Sequence, residues 1–376
     1  MKTVVSKAIS LAKAEAGKAS SHKGRRRKSF QDQDLVKLLE SSKAKIRVVG
    51  VGGGGCNTIN RMTEVGILGA ETIAINTDAQ DLLKVKADRK VLIGRKLTRG
   101  LGSGSDPSVG EASAQESIED LSEELSDSDL VFITCGMGGG TGTGAAPVVA
   151  ELVKKIKCLT IGVVTLPFTV EGRKRNENAL NGVANLRQHA DTIIIIPNDK
   201  ILEIAPDLPL NAAFKVADEV LTNAVKGITE MITKPGLINL DFADLRTILE
   251  RGGAAMIGLG ESTSHGANSE ARALEAVENA LTSPLLDVDI SGAGRALINV
   301  VGGSDMTLRE AEMIVEAVSA KINSNAHIIW GAMIDDNLPK NQVQAMVVIA
   351  GGKFPYLDGM TSAGEGPIDL GIEFTG

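Results

Sequence analysis

The hydrophobic pattern of residues 45 to 200 alternates short β-branched runs with helical stretches, which is typical of a parallel sheet covered by helices. It predicts six strands, and their almost continuous apolar character indicates burial on both faces. The strands are Ile46–Val51, Thr72–Asn76, Val91–Ile93, Leu130–Cys135, Leu159–Thr165 and Thr192–Pro197. Between them, the apolar spacing predicts helices over Gly110–Ser126 and Glu171–His189.

A long periodic segment follows the sixth strand. Apolar residues recur every three or four positions from Leu210 to Ile232, which predicts one long, largely buried helix. Lys234-Pro235-Gly236 ends it, because proline cannot continue a helix and glycine permits the turn. A second group of strands is then predicted near Ala255–Leu259, Leu297–Val301, His327–Ile334 and Gln344–Ile349.

These elements together predict an α/β protein with two structural parts. We expect an N-terminal Rossmann-like domain with a mainly parallel sheet, a long central helix, and a smaller C-terminal α+β domain. The expected divisions are a basic extension with a short helix at 1–44, the first domain at 45–209, the central helix at 210–233, the second domain at 234–352 and a flexible tail at 353–376.

Composition and charge narrow the functional classes. The chain has 376 residues, 43% of them hydrophobic, which is ordinary for a globular protein of about two domains. Its net charge of −7 gives no general reason to expect nucleic-acid binding, which usually needs a basic patch. No apolar run approaches the roughly 18 residues of a transmembrane segment, and the N-terminus lacks the apolar core of a secretory signal. We therefore expect a soluble, cytoplasmic protein.

The cysteines and histidines indicate neither disulfides nor a metal cluster. Three cysteines without a CxxC pair favour a reducing compartment, and they are Cys56, Cys135 and Cys158. The histidines lie far apart in sequence, so we interpret them as structural or surface residues. They are His22, His189, His265 and His327.

The N-terminus is the one basic segment. Residues 1–28 contain nine Lys or Arg and a single acid, Glu15. Three interpretations stay open: an amphipathic arm that meets an anionic membrane surface, a solvated disordered tail, and an organelle transit peptide. A short helix is expected after it, around Leu35, Val36, Leu38 and Leu39.

The first strand leads directly into a glycine-rich turn. Gly50-Val51-Gly52-Gly53-Gly54-Gly55-Cys56-Asn57 precedes a helix that is predicted to begin near Thr58. Glycines let the backbone approach a phosphate, and a helix N-terminus presents free N–H groups and partial positive charge. The same residues match the GxGxxG turn of a dinucleotide-binding domain, in which Asp78 would be the ribose acid.

A second glycine-rich turn favours a polyphosphate over a dinucleotide. Gly136-Met137-Gly138-Gly139-Gly140-Thr141-Gly142-Thr143-Gly144 follows the fourth strand and opens a helix near Ala145. Parallel strands bring both turns to one carboxyl edge of the sheet, where two helix N-termini would hold one ligand. A dehydrogenase needs only one such turn, and no obvious proton-transfer histidine lies near the first.

The phosphates would be held chiefly through backbone amides. No GxxxxGK[ST] sequence occurs, so the chain is not a P-loop protein with a phosphate-binding lysine. Mg²⁺ would be bound mainly by phosphate oxygens and water, and the sequence identifies no protein ligand for it.

Gly138-Gly139-Gly140-Thr141-Gly142-Thr143-Gly144 resembles the signature of the tubulin/FtsZ superfamily, in the form typical of the FtsZ family. Further motifs occur in the family's order over roughly residues 45 to 350, and their residues favour the archaeal type of the family. They are Gly52–Asn57, Asn76–Asp78, Gly102–Pro107, Thr165–Phe168, Glu171–Arg175 and Asn239–Asp244. The resemblance implies a GTPase domain that binds GTP or GDP, and a protein that polymerises head-to-tail into the cell-division ring at mid-cell.

The resemblance also implies a set of nucleotide-binding residues. Glu171 and Arg175 would lie near the ribose and phosphates, and Asn198 would also contact the nucleotide. The phosphate-binding residues would be Gly53, Gly54, Gly55, Cys56 and Asn57 in the first turn and Gly138, Gly139, Gly140, Thr141 and Gly142 in the second.

Phe214 and Asp218, one turn apart on the long helix, would stack on the guanine and accept hydrogen bonds from it. A carboxylate can accept from both N1–H and the exocyclic amine of guanine, and adenine offers no such pair. A buried carboxylate left unpaired by ATP would therefore discriminate strongly. Without the resemblance, Phe214 would be interpreted as an ordinary core residue.

Asp241 and Asp244 lie three residues apart at the start of a predicted helix, so both should face the same side. Helix capping alone would explain one of them. The resemblance implies that they polarise the attacking water in the active site of the neighbouring subunit, and that Asn239 contacts the neighbour's phosphates. Hydrolysis would then require head-to-tail assembly.

The C-terminal segment departs from the bacterial pattern of the family. Ile368–Phe374 alternates apolar and acidic residues, which suits either a docking peptide for a membrane-tethering adaptor or a disordered end. Two other functions stay open besides the GTPase: a nicotinamide-dependent dehydrogenase, and a structural homologue that binds the nucleotide without hydrolysing it.

Overall fold

The computed structural model describes residues 44–204, 207, 209–262, 269–286 and 288–351. The predictions for the basic N-terminal segment, for the short helix around Leu35 and for the C-terminal tail lie outside these residues. Among the helices in the described ranges, none combines the length and the apolar character that a membrane crossing requires.

A ten-stranded sheet forms the centre of the chain, with strand order β3-β2-β1-β4-β5-β6-β7-β10-β8-β9. The strands are β1 Ile46–Val51, β2 Ala70–Asn76, β3 Arg89–Leu92, β4 Leu130–Gly136, β5 Leu159–Leu166, β6 Thr192–Pro197, β7 Gly253–Glu261, β8 Arg295–Gly302, β9 His327–Ile334 and β10 Val343–Ala350. β1 to β6 are all parallel. β10 is antiparallel to both β7 and β8. The α/β fold with a mainly parallel sheet is therefore confirmed.

Helices connect the strands and cover the sheet. They are α1 Gly52–Val65, α2 Ala79–Lys84, α3 Pro107–Glu116, α4 Ile118–Leu125, α5 Thr141–Lys155, α6 Arg173–Arg187, α7 Asn198–Ile204, α8 Leu210–Thr233, α9 Phe242–Leu249, α10 Ser269–Leu281 and α11 Leu308–Ser319, with short 3₁₀ turns at Thr169–Glu171 and Pro284–Leu286. The long helix is confirmed as α8.

The helix predicted over Gly110–Ser126 is wrong in its boundaries. It begins earlier, because the Asp106 carboxylate caps α3 by accepting from the Ser108 N–H at 2.9 Å and proline suits the first helical position. It is also interrupted at Ser117, whose hydroxyl accepts from the buried Gly94 N–H at 3.1 Å. That tertiary hydrogen bond fixes the junction between α3 and α4.

The helix predicted over Glu171–His189 is likewise interrupted near its start. Gly172 has φ of +100°, a conformation that ends the 3₁₀ turn before α6 begins at Arg173. The prediction therefore joined two elements that the glycine separates.

The long helix α8 packs on both groups of strands. Ala217, Leu221 and Ile228 on its buried face belong to one apolar cluster with Phe132 of β4 and Leu297 of β8. Its end is as predicted: Lys234 is extended before Pro235, and the Lys234 N–H bonds to the Glu230 carbonyl. This packing holds the side chains of α8 in place relative to strands β1 to β6.

Candidate nucleotide site

Both glycine-rich turns lie in the wall of one cavity of about 460 Å³. β1 and β4 are parallel neighbours, so their carboxyl ends meet at the same edge of the sheet. The turns approach within backbone contact, because a Cβ added at Gly52 would lie 2.7 Å from the Gly142 nitrogen. The meeting of the two turns at one edge is therefore confirmed.

Most of the predicted binding residues line this cavity. They are Gly53, Gly54, Asn57, Gly139, Gly140, Thr141, Gly142, Glu171, Arg175, Asn198, Phe214 and Asp218. The volume lies within the range that small-molecule ligands occupy.

Three predicted residues lie outside the cavity wall. Gly55 is buried against the backbone of Gly50, and the Cys56 thiol, 2% exposed, points to the Ile75 carbonyl at 3.8 Å. The Gly138 N–H donates to the Thr143 hydroxyl at 2.9 Å, so it is used within the turn. The structure gives these residues the role of shaping the turns.

The helices begin earlier than the sequence predicts. α1 starts at Gly52, which has φ of +72°, and α5 starts at Thr141. The glycines at 53 and 54 therefore belong to the first turn of α1, where backbone N–H groups lack intrahelical partners. Two helix N-termini consequently direct N–H groups and partial positive charge at the cavity.

A hydroxyl cluster adjoins the second turn. The Thr141 hydroxyl lies 2.7 Å from that of Thr77 and 2.9 Å from that of Ser103, and all three residues line the cavity. Thr77 and Ser103 were not among the predicted site residues. Thr77 follows β2, the neighbour of β1, so the same rule on carboxyl ends would have found it.

Asp78 has a local structural role. Its carboxylate caps α2 by accepting from the N–H groups of Gln80 and Asp81, at 2.9 and 3.1 Å. The cap uses Oδ1 alone, and Asp78 also lines the cavity.

Two side chains of α8 form one end of the cavity. Phe214 is 38% exposed although it is aromatic, and its ring meets the buried Phe168 edge-on with centroids 5.1 Å apart. Asp218 accepts a hydrogen bond from the Thr58 hydroxyl at 3.3 Å. Burial raises the pKa of Asp218 from 3.8 to about 6, and the Thr58 hydrogen bond opposes that rise.

An ion pair and a buried amide lie on another side of the cavity. Arg175 Nε contacts Glu171 Oε2 at 3.0 Å, while Glu171 Oε1 accepts from the Phe168 N–H at 2.8 Å. Asn198 is 4% exposed, and its Oδ1 has no hydrogen-bond partner within the part of the chain that the structure describes. A buried acceptor of this kind is costly unless a ligand or water satisfies it.

Asn239, Asp241 and Asp244 are exposed and do not line the cavity. Asp241 caps α9 by accepting from the Asp244 N–H at 2.8 Å, which gives the predicted helix start and capping role. The Asn239 carboxamide accepts from the Gly236 N–H.

The helix that follows these acids is anchored at the opposite edge of the sheet. The Thr192 hydroxyl, at the amino end of β6, donates to the Leu249 carbonyl of α9 at 2.5 Å. Arg246 of α9 donates to the carbonyl of Lys157, just before β5 begins, at 3.4 Å. The cavity is at the carboxyl ends of these same strands, so the helix that begins with these acids is bonded to the end of the sheet away from the cavity.

Comparisons with known proteins agree with this architecture. Residues 45–206 match the model described as the Tubulin/FtsZ family, GTPase domain, and residues 253–353 match the FtsZ family, C-terminal domain. The chain is 59% identical over 331 residues to Cell division protein FtsZ 1 of Thermococcus kodakarensis, covering 88% of this chain and 87% of that protein. It is 54% identical over 359 residues to Cell division protein FtsZ 1 of Archaeoglobus fulgidus, covering 96% and 95%.

A solved structure gives the same result. The chain superposes on "FtsZ dimer, empty (M. jannaschii)" with a TM-score of 0.80 and 58% identity, covering 86% of this chain and 92% of that one. With both domains matched and its relatives covered over most of their length, the chain belongs to the FtsZ family of tubulin/FtsZ GTPases.

Proposed function

We propose that the chain binds GTP in the cavity between the two glycine-rich turns and hydrolyses it only within a head-to-tail polymer. The observation that carries this proposal is that Asp241 and Asp244 do not line the cavity, while the helix they begin is bonded to the amino ends of β5 and β6, away from it. A contact that joins opposite faces of identical subunits and does not close produces a filament. Each interface would then unite one subunit's cavity with the next subunit's acids.

The residues divide the chemistry between two subunits. Backbone N–H groups of both turns bind the phosphates, Phe214 stacks on the base, and Asp218 accepts from guanine N1–H and the exocyclic amine. The next subunit supplies Asp241 and Asp244, which orient and polarise the attacking water, and Asn239, which contacts the phosphates.

The cavity suits Mg²⁺ that is bound through the nucleotide. The described residues contain no group of three or more His, Cys, Asp or Glu that could hold a metal by themselves. The hydroxyls of Thr77, Ser103 and Thr141 are neutral, which fits an ion that takes most of its ligands from phosphate oxygens and water. When bound, the ion would offset the charge of the phosphates.

At the cellular level, we propose that the filament forms the cytoplasmic division ring at mid-cell, tethered to the membrane by an adaptor that binds one terminus. The two relatives, each named Cell division protein FtsZ 1, support the role in division. We also propose that the chain divides after residues 209 and 233 into a GTP-binding domain, a central helix and a C-terminal domain.

Asp241→Asn tests the catalytic assignment. Asparagine is as good an N-cap as aspartate, so the variant keeps α9 intact while it removes the charge. We expect unchanged GTP affinity and assembly, with hydrolysis reduced by about a hundredfold or more, the loss typical of a general base. Undiminished hydrolysis would contradict the role of Asp241.

Mixing two defective variants tests whether the site is shared. Asp241→Asn retains its cavity and Asp218→Asn retains its acids, so a random 1:1 copolymer should have about a quarter of its interfaces intact. We expect the mixture to hydrolyse GTP faster than either variant alone, and wild-type specific activity to fall on dilution. If the mixture only averages the two variants, hydrolysis does not occur between subunits.

A further inference from the structure

Thr58 links the first glycine-rich turn to the residue proposed to read the base. It lies on α1 and is fully buried, with 0% exposure. Its hydroxyl oxygen is 3.2 Å from the Gly54 carbonyl and 3.3 Å from Oδ1 of Asp218, which is 160 residues away in sequence. One side chain therefore contacts both the phosphate-binding turn and the carboxylate at the other end of the cavity.

The second acceptor of the Thr58 hydroxyl distinguishes it from an ordinary helical threonine. A threonine in a helix commonly donates to the carbonyl four residues earlier, and such a bond needs no second partner. Here the second acceptor is a carboxylate, and the hydroxyl has a single hydrogen for both. The bond uses one lone pair of Oδ1 and leaves Oδ2 and the remaining lone pair of Oδ1 available to other donors.

A second side-chain contact holds the same two helices together. Arg61, one turn after Thr58 on α1, pairs with Glu219, the residue after Asp218 on α8. This pair is largely exposed and does not touch the cavity, and the packing of α1 against α8 comes chiefly from buried apolar residues such as Ile59 and Leu221. Between the two packed helices, the Thr58 hydroxyl is the side-chain hydrogen-bond partner that the structure gives to the Asp218 carboxylate.

We infer that Thr58 is a positioning residue for base selection: its hydroxyl holds the Asp218 carboxylate in the orientation that accepts both donors of guanine. This inference rests on the proposed role of Asp218 in the proposed function. Thr58 would act through Asp218 and would not itself contact the nucleotide.

The test is the ratio of GTP to ATP affinity in Thr58→Val, measured by isothermal titration calorimetry on the full chain. Valine keeps the shape and removes the hydroxyl, so we expect the ratio to fall about tenfold, the lower end for a hydrogen bond to a charged group. Affinity for inosine triphosphate, which lacks the exocyclic amine, should fall less than affinity for GTP. Thr58→Ser, which restores the hydroxyl, should recover the wild-type ratio within about threefold.

Thr63→Val is the matched control. Thr63 lies on the same helix and donates to the Ile59 carbonyl at 3.0 Å in the same way, but its other acceptor is the Lys86 carbonyl, away from the cavity. This variant should bind all three nucleotides as the wild type does. If Thr58→Val does not fold, Thr58→Ala provides the same comparison.

The outcomes separate the inference from the proposed function. An unchanged GTP to ATP ratio in Thr58→Val, or an equal loss for all nucleotides, would overturn the inference and leave the role of Asp218 standing. A wild-type protein that binds ATP as tightly as GTP would instead overturn the proposed function.

Discussion

The pH dependence of guanine selection tests the role of Asp218 most directly. Burial raises the pKa of this carboxyl to about 6, and only the ionised form can accept from both guanine donors. At pH 7 about nine-tenths of the molecules are ionised, whereas at pH 5 only about one-tenth are, so GTP affinity should fall about tenfold between these values. Asp78, Asp81, Glu171 and Arg175 are the other charged groups in the cavity wall.

The assay must separate Asp218 from the nucleotide, because phosphate groups also titrate near pH 6. The informative quantity is the ratio of GTP to ATP affinity, in which the titration of the phosphates cancels. We expect this ratio to fall about tenfold from pH 7 to pH 5 in the wild type and to stay constant in Asp218→Asn. A wild-type ratio that is flat over this range would refute the reasoning.

The same pKa has a consequence for stability. Because the pKa of Asp218 in the folded chain lies above its ordinary value of 3.8, folding favours the protonated form. The ionised carboxylate therefore destabilises the empty protein at neutral pH by up to about 3 kcal/mol, and this cost disappears as the pH falls from above 6 towards 4. Asp218→Asn should raise the free energy of unfolding at pH 7, measured by urea denaturation without nucleotide.

Two further predictions concern the framework of the chain. Gly52→Ala should lower the free energy of unfolding by about 1 to 3 kcal/mol, because φ is +72° there and the added Cβ would lie 2.7 Å from the Gly142 nitrogen of the second turn. Gly53→Ala should stay close to wild type, because its Cβ would meet no atom of the described residues within 4 Å. Equal stability of the two variants in thermal denaturation would contradict this explanation. Arg272→Met should lower the free energy of unfolding by about 3 to 5 kcal/mol, because it leaves Glu310, 1% exposed, buried without its charged partner. Arg309→Met, at an exposed ion pair, should change the free energy of unfolding by less than about 1 kcal/mol. Urea denaturation that does not distinguish the two variants would refute the argument.

Features of the fold that depend on local pattern were predictable from the sequence. The buried strands appear as uninterrupted β-branched runs, and α8 appears as a repeat of three and four residues over Leu210–Thr233. The convergence of the two glycine-rich turns follows from a general property of parallel sheets, so it needed no knowledge of distant contacts.

Features that depend on tertiary contacts were not predictable. The break between α3 and α4 is fixed by the hydrogen bond from Gly94 to Ser117, and nothing in the apolar spacing indicates it. The beginning of α3 was missed for another reason, since Asp106-Pro107 is a recognisable start signal that the hydrophobic pattern obscured. The contact between Thr58 and Asp218 joins distant segments and has no periodic signature at all.

The burial of Asp218 connects specificity to stability. An exposed carboxylate would hardly destabilise the empty protein, because water solvates it. For the same reason, a base without matching donors would hardly lower the affinity, so an exposed carboxylate would discriminate weakly between bases. Partial burial makes the unpaired carboxylate costly, and a guanine that donates two hydrogen bonds removes that cost where adenine does not. The Oδ1 of Asn198, which has no hydrogen-bond partner among the described residues, adds a further cost to the empty cavity. If Asp218 accepts from guanine as proposed, these two groups favour the nucleotide-bound chain over the empty one, and Asp218 does so selectively because only guanine offers it two donors.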